Sequence, residues 1–532
     1  MAIIKASTAA SVAELATDMD QQSPQLKAKP FSHELLTTSI LTVLGTATFV
    51  GIHHRYRKQH RPDASLQDYV SGIYTQLNVL QSASHSRSTL RHFCYACQQA
   101  ASTLQQVYRL PMTDKQSSSH DLATNDFSVM HTTTMLTRPV CWVSGVASMP
   151  KDISLLDENN ENDFGVVGID ANREIVWQTT MPERVHDIVV QPVFSDQDST
   201  VNDHLNNHQS RDVVVMGRRP SEKFWVLDTA TGQVKFAISS VTNRHFYGHA
   251  CYSLDGSKLY VTENDTLSLD GKIGVYAADS AYQKIAEFNS YGIGPHELIM
   301  HPNGGTLVIA NGGIKTEQAS REELNLDTMH PSLVYLNRHD GSLLEQITPE
   351  HNQMSVRHLA MHDDGTVMIG IQFQGEKHIN VPLVLTHKRG DINFTPLIMP
   401  NNQWQRFHQY IASVAVDSER NLLCVTTPIG GCAALFDLTT RVLINSISLP
   451  DCAGASVYSG KIDSDNDVVK ANIGQQSGFI VSDGQGQLTR LNINELTILD
   501  SELNSDTIAK NDAIGTDSKC HMMSFDNHLQ AL

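Results

Sequence analysis

The chain has 532 residues, of which 40% are hydrophobic and 18% charged, and its formal net charge is -18. That apolar content suits a folded chain with a sizeable core and argues against wholesale disorder. The negative balance excludes a general nucleic-acid binder, because a phosphate backbone is held by a basic surface.

Residues 1–34 are polar and rich in Ser, Thr and Gln, which reads as a disordered N-terminus. Residues 35–52 (LLTTSILTVLGTATFVGI) carry no charge and are followed by a basic cluster at 53–61. At a rise of about 1.5 Å per residue, such a helix just spans a thinned bilayer. It reads as a transmembrane anchor or export signal, with a buried helix as the competing reading. The basic cluster lies on its C-terminal side, which the positive-inside rule would keep in the cytoplasm. A helical spacer is expected over 63–118, where Leu66, Tyr69, Ile73, Leu77 and Leu80 recur at helical spacing. Cys94 and Cys97 lie in it. Gln98 follows them, so this is not a c-type haem site, and a redox pair or two cysteines on one helix are the alternatives. The other six cysteines are expected to be buried apolar residues. The acidic run 152–163 reads as a solvated loop.

From about residue 135 the text changes to short apolar strands and turns. The stretch 244–265 is the clearest: a strand containing Gly248-His249, an Asp255-Gly256 turn, then a second alternating strand ending at Glu263-Asn264-Asp265. Asp-Gly between apolar runs signals a hairpin, because Gly accepts the positive φ of a tight turn. The phrase recurs at His296 with Asn303-Gly304, and at His358 with Asp364-Gly365. Four-strand units follow one another from residue 185: strands at 185–192, 212–219, 223–232 and 233–238, then the His249, His296 and His358 units, then 411–447. A weaker sixth unit has strands at 455–458, 468–472, 478–482 and 488–491. A period of four strands per repeat predicts a β-propeller. Segments 140–143, 164–170 and 174–178 supply three outer strands of a further blade, and 521–529 its inner strand. The expected fold is all-β: a seven-bladed propeller over 135–532, closed by N- and C-terminal strands so that no sheet edge stays open.

Residues on first strands cluster around a propeller channel. His186, His249, His296 and His358 hold equivalent places in four successive blades, and His528 in the closing one. Neutral imidazoles converging there would hold a transition metal, with Asp187, Glu263 or Glu297 completing the site. The competing reading is that repeated Gly-His phrases serve hydrogen bonding between strands and turns. At the ends of second strands stand Arg218, Arg219, Glu263, Asn264 and Asn311. Together with Arg357, Arg218, Glu263, Asn264 and Asn311 form a candidate set for a small polar or anionic ligand, or are simply turn residues. The long connection 323–331 would cover the channel or lie on the surface. No nucleophile elbow, Walker motif, dinucleotide fingerprint or HExxH occurs.

These phrases resemble a bacterial propeller family, the domain-of-unknown-function family 1513. The resemblance is carried by Phe246-Tyr-Gly-His249, Tyr260-Val-Thr-Glu-Asn-Asp265, Ile273-Gly-Val-Tyr276 and Gly292-Ile-Gly-Pro-His-Glu-Leu298. It continues through Ala310-Asn-Gly-Gly-Ile314, Leu324-Asn-Leu-Asp-Thr-Met329, Pro331-Ser-Leu333, Arg357-His-Leu359 and Asp526-Asn-His-Leu529. It implies a periplasmic, exported or membrane-anchored protein linked to iron uptake, since members are often encoded near imelysin-like proteins. It gives no activity. Members commonly begin with a twin-arginine signal, whereas no Arg-Arg pair precedes residues 35–52 here. The functional expectation is a non-enzymatic periplasmic propeller that binds a metal such as iron, a small ligand or an iron-uptake protein. The alternative is a metal-dependent hydrolase or oxidoreductase built on the same channel mouth.

Overall fold

The computed structural model describes residues 130–149, 164–193, 210–219, 221–316, 323–458, 477–493 and 514–532. The expected disordered N-terminus, apolar segment 35–52, helical spacer 63–118, Cys94-Cys97 pair and loop 152–163 lie outside these residues. No helix among the described residues is long and apolar enough to cross a membrane.

The described strands form seven antiparallel sheets, one per blade, confirming the seven-bladed propeller. The seventh, closing blade holds β1 (Thr132–Thr134), β2 (Trp142–Ser148), β3 (Gly165–Ile169) and β4 (Ile175–Thr180). Blade 1 runs β5 (Val185–Val190), β6 (Asp212–Gly217), β7 (Lys223–Asp228) and β8 (Val234–Ser239). Blade 2 has β9 (Arg244–Tyr252), β10 (Lys258–Asp265), β11 (Gly271–Ala277) and β12 (Gln283–Asn289). Blade 3 has β13 (Pro295–Met300), β14 (Thr306–Asn311), β15 (Ser332–Asn337) and β16 (Leu343–Ile347). Blade 4 has β17 (Met354–Met361), β18 (Thr366–Phe373), β19 (Val384–Lys388) and β20 (Thr395–Pro396). Blade 5 has β21 (Ser413–Asp417), β22 (Leu422–Thr427), β23 (Cys432–Asp437) and β24 (Leu443–Ser448). Blade 6 has β25 (Cys452–Tyr458), β26 (Gly478–Asp483), β27 (Gln487–Ile493) and β28 (Ile514–Cys520). The final strand, β29 (Ser524–Ala531), is the inner strand of blade 7.

The sequence explains this layering. Middle strands are continuous apolar runs because both faces are covered by neighbouring blades; Val213, Val214, Val215 and Met216 are all fully buried. Outer strands such as β12 are mostly exposed or half-buried and carry charges. Each pair of neighbours shares an apolar layer. Val214, Met216 and Phe224 of blade 1 pack on Phe246, Val261 and Tyr276 of blade 2. Ile480 and Leu488 of blade 6 pack on Val167, Phe525 and Leu529 of blade 7, so the ring of layers closes.

Closure is made by chain ends. β29 pairs with β2 in antiparallel register, Trp142 opposite Ala531 and Ser144 opposite Leu529. Arg184, just before β5, donates Nε and Nη2 to the buried Asp526 carboxylate at 2.6 and 3.0 Å. Arg173 of blade 7 donates to the Leu488 carbonyl of blade 6 at 3.2 Å and to the Asp517 carbonyl at 2.6 Å.

Three expectations are corrected. Segment 468–472 lies outside the described residues, and the fourth strand of blade 6 is β28, whose sequence IGTDSKC is too polar to show an apolar period. β1, which precedes residue 135 where the strand pattern was expected to begin, adds a fifth strand to blade 7 by pairing Thr134 with Trp177. Among the six cysteines expected in the core, Cys251, Cys424, Cys432 and Cys452 are buried, but Cys141 is half-buried and Cys520, on the outermost strand of blade 6, is exposed.

Candidate metal centre

The site begins with irregularities in the inner strands. In blade 1, Val185 pairs with Gly217 and Asp187 with Met216, so His186 is an extra residue. In blade 3, Pro295 pairs with Asn311 and Glu297 with Ala310, so His296 is the extra one. In blade 4 the extra residue is Arg357, next to His358. In blade 2 the pairing jumps from Ala250–Val261 to Phe246–Glu263, and Thr262 holds the bulge by accepting from His249 N–H at 3.2 Å and donating to His249 C=O at 3.0 Å. In blade 7 the register likewise jumps between Leu529 and Phe525, beside His528. Bulges of this kind re-aim side chains. Gly248 is needed within the blade 2 bulge. It sits at φ +109, and a Cβ there would lie 2.4 Å from the His186 ring.

The result is a cluster of five imidazoles at the channel. Ring centroids are 4.6 Å apart for His186–His249 and for His249–His296, 4.8 Å for His296–His358, and 5.1 Å for His249–His528. His249, His296 and His358 are buried; His186 and His528 are half-buried. His186 Nδ1, both nitrogens of His249, His296 Nδ1, His358 Nε2 and His528 Nε2 are buried without a hydrogen-bond partner. Leaving one such group unsatisfied costs about 1–3 kcal/mol, so a site with so many needs an occupant. This weighs against the reading in which these rings serve strand hydrogen bonding.

Two carboxylates complete the cluster. Asp187 accepts from Ile188 N–H at 2.8 Å and from Ala250 N–H of the next blade at 3.4 Å. Its oxygens lie 3.2 Å from His249 Nδ1, out of line for a hydrogen bond, and 3.6 Å from His528 Nδ1. Glu297 repeats this two blades on, accepting from Leu359 N–H at 3.2 Å and lying 3.1 Å from His358 Nδ1. Burial, reinforced by neighbouring charge, holds His186, His296 and His358 well below the usual imidazole range. Burial likewise lowers His528 to about 4 despite Asp187. At His249 burial also opposes the charge, but Asp187 and Glu297 outweigh it and the pKa is raised. Burial pushes Glu297 up to about 7, whereas Asp187 is lowered because His249 and His528 outweigh its burial. Four of the rings are therefore neutral near pH 7 and offer lone pairs. Asp187, Glu297, His358 and His528 also face a cavity of 430 Å³ lined by the inner strands of all seven blades.

The model of the family described as "Protein of unknown function (DUF1513)" matches residues 202–532, well over half of the chain. The chain belongs to the DUF1513 family. The match begins after β5, so His186 and Asp187 precede it while the other four histidines fall within it. No curated protein matches the chain. Among solved structures, Kuenenia stuttgartiensis hydrazine synthase is similar at 15% identity, over 52% of this chain and 72% of that one, with a TM-score of 0.39.

This DUF1513 chain separates the expected ligand residues into two groups. Arg357 comes close to the histidine cluster: its charge acts on His296, His358 and His249, and its Nε donates to Ser355 Oγ at 3.0 Å. Arg218 acts on His186, and Arg219 lies over the Tyr247 ring at 4.4 Å. Glu263 and Asn311 are engaged within blades. Glu263 accepts from Tyr276 Oη at 2.7 Å and Lys284 Nζ at 2.6 Å, and Asn311 Nδ2 donates to the Ser290 carbonyl at 2.9 Å. Asn264 is buried, pairs across the strands with His245, and its Oδ1 has no partner. Connection 323–331 is pinned at Asn325, which accepts from Lys315 N–H at 2.7 Å and donates to the Gly313 carbonyl at 3.0 Å. Sequence reasoning missed Tyr247 and Tyr410, which flank Arg357; Tyr247 stands two residues before His249, and that proximity was the available signal.

Proposed function

We propose that this propeller binds a transition metal at the five-histidine cluster. The observation that carries the reading is the set of buried imidazole nitrogens without partners, held among mostly neutral rings with Asp187 and Glu297 beside them. Imidazole suits iron, copper, zinc and nickel alike. The family resemblance supports iron, the periplasm and imelysin-like uptake partners, with residues 35–52 as the membrane attachment. Arg357, whose charge acts on His249, His296 and His358, and Arg218, whose charge acts on His186, suit an anionic co-ligand of the bound ion. Elemental analysis of the purified chain tests the reading. A transition metal is expected in the wild-type protein and a loss of it in His249→Ala and His296→Ala; metal contents unchanged by both variants would overturn it.

A second reading has one observation in its favour. The 430 Å³ cavity opens beside His358 and His528 and carries two carboxylates, room enough for a small substrate next to the metal. A metal-dependent hydrolase or oxidoreductase would use it, and turnover that requires the reconstituted metal would distinguish this from simple binding.

A further inference from the structure

The five histidines do not converge on one point. Among the described residues two sets have ligand atoms all within 4.8 Å of one another: His186, His249 and His528, and His249, His296 and His358. No larger set does so. We propose that the cluster is a dinuclear centre in which the His249 ring bridges two metal ions. This rests on the metal-binding reading above and adds how many ions are held and what joins them.

The separations fit two such ions. With metal–nitrogen bonds of about 2.0–2.1 Å and tetrahedral angles, imidazole nitrogens on one ion are roughly 3.4 Å apart and ring centroids roughly 5 Å. The first set has centroid distances of 4.6, 5.1 and 5.6 Å. The second has 4.6, 4.8 and 5.9 Å. His249 stands on the middle blade of the five, with blades 7 and 1 on one side and blades 3 and 4 on the other. It is also the histidine of the cluster whose two ring nitrogens both lack a hydrogen-bond partner. Each set has its own carboxylate. Asp187 lies 3.2 and 3.6 Å from rings of the first set, and Glu297 lies 3.1 Å from His358 of the second. Each can orient its ring or close the coordination shell.

On binding, His249, whose protonated form Asp187 and Glu297 favour, releases the protons of both ring nitrogens to solvent, and each nitrogen donates a lone pair to one ion. The resulting imidazolate, Asp187 and Glu297 supply three negative charges against two divalent cations. No electron is transferred.

Copper(II) titration of the metal-stripped full chain, with glycine present to strip surface sites, tests the proposal. Two copper ions per chain are expected, with an electron paramagnetic resonance intensity below that of two independent spins, because the shared ring couples them. His358→Ala and His528→Ala should each retain one copper with a full single-spin signal. Saturation at one copper in the wild type, or two copper ions with independent spins, would overturn the bridge while leaving the metal-binding reading intact. Failure to retain any copper would overturn both. The wild-type measurements stand whether or not a variant folds.

Discussion

At the scale of single residues, Gly248 and His245 show how tightly this centre is built. A methyl group at 248 meets the His186 ring and forces a side chain into a backbone conformation that glycine tolerates. Gly248→Ala should therefore cost about 1–3 kcal/mol in urea denaturation and weaken metal retention. His245 is fully buried and both its nitrogens lack partners. Burial, with Arg219 nearby, holds its pKa at about 4, below the ordinary 6.5. The unfolded chain thus takes up this proton first. The contribution of neutral His245 is complete above about pH 6.5 and is lost as the pH falls towards 4, by at most about 3 kcal/mol. Urea midpoints at pH 7.5 and pH 5 should differ less in His245→Gln than in the wild type, compared without metal so that the histidine cluster contributes equally to both.

At the scale of elements, the hairpins were legible and the bulges were not. Asp255-Gly256, Asn303-Gly304 and Asp364-Gly365 announce turns because their chemistry is local. Each glycine does adopt positive φ, and the Asp or Asn carboxyl or amide oxygen accepts a backbone N–H two residues on. A bulge depends instead on how two strands settle against one another, and no residue type demands one. Thr262 makes the blade 2 bulge specific by bonding both backbone groups of His249. Thr262→Val removes those bonds and preserves shape. It should cost about 1–2 kcal/mol of stability and about 10- to 100-fold in metal affinity, since it frees the backbone that aims the ring. Competition against a chromogenic chelator would measure the second effect.

At the scale of the whole molecule, the ring depends on its closing blade. Arg184→Ala removes the bidentate partner of Asp526, whose side chain is buried. A loss of about 3 kcal/mol is expected in thermal or chemical unfolding. Deleting residues 521–532 would leave the β2 edge unpaired and take His528 from the cluster. The truncated chain should aggregate at concentrations where the intact one stays monodisperse in size-exclusion chromatography, because an open edge is a template for further strands.

The sequence by itself determined the apolar strands, the turns, the blade count and the residues from which a centre could be made, since these follow from period-two patterning and glycine chemistry within a few residues; the polar strands β1 and β28 carry no such pattern. It also placed Glu263 and Asn311 among the candidates, because residues ending second strands look alike in one dimension. Only the tertiary structure decided that Glu263 is held by Tyr276 and Lys284 inside blade 2 while Asp187 and Glu297 reach the imidazoles. It alone decided that His528, at the far end of the chain, stands beside His249. The reason is physical: these contacts are set by inter-blade packing and ring closure, which act between residues that share no local signal.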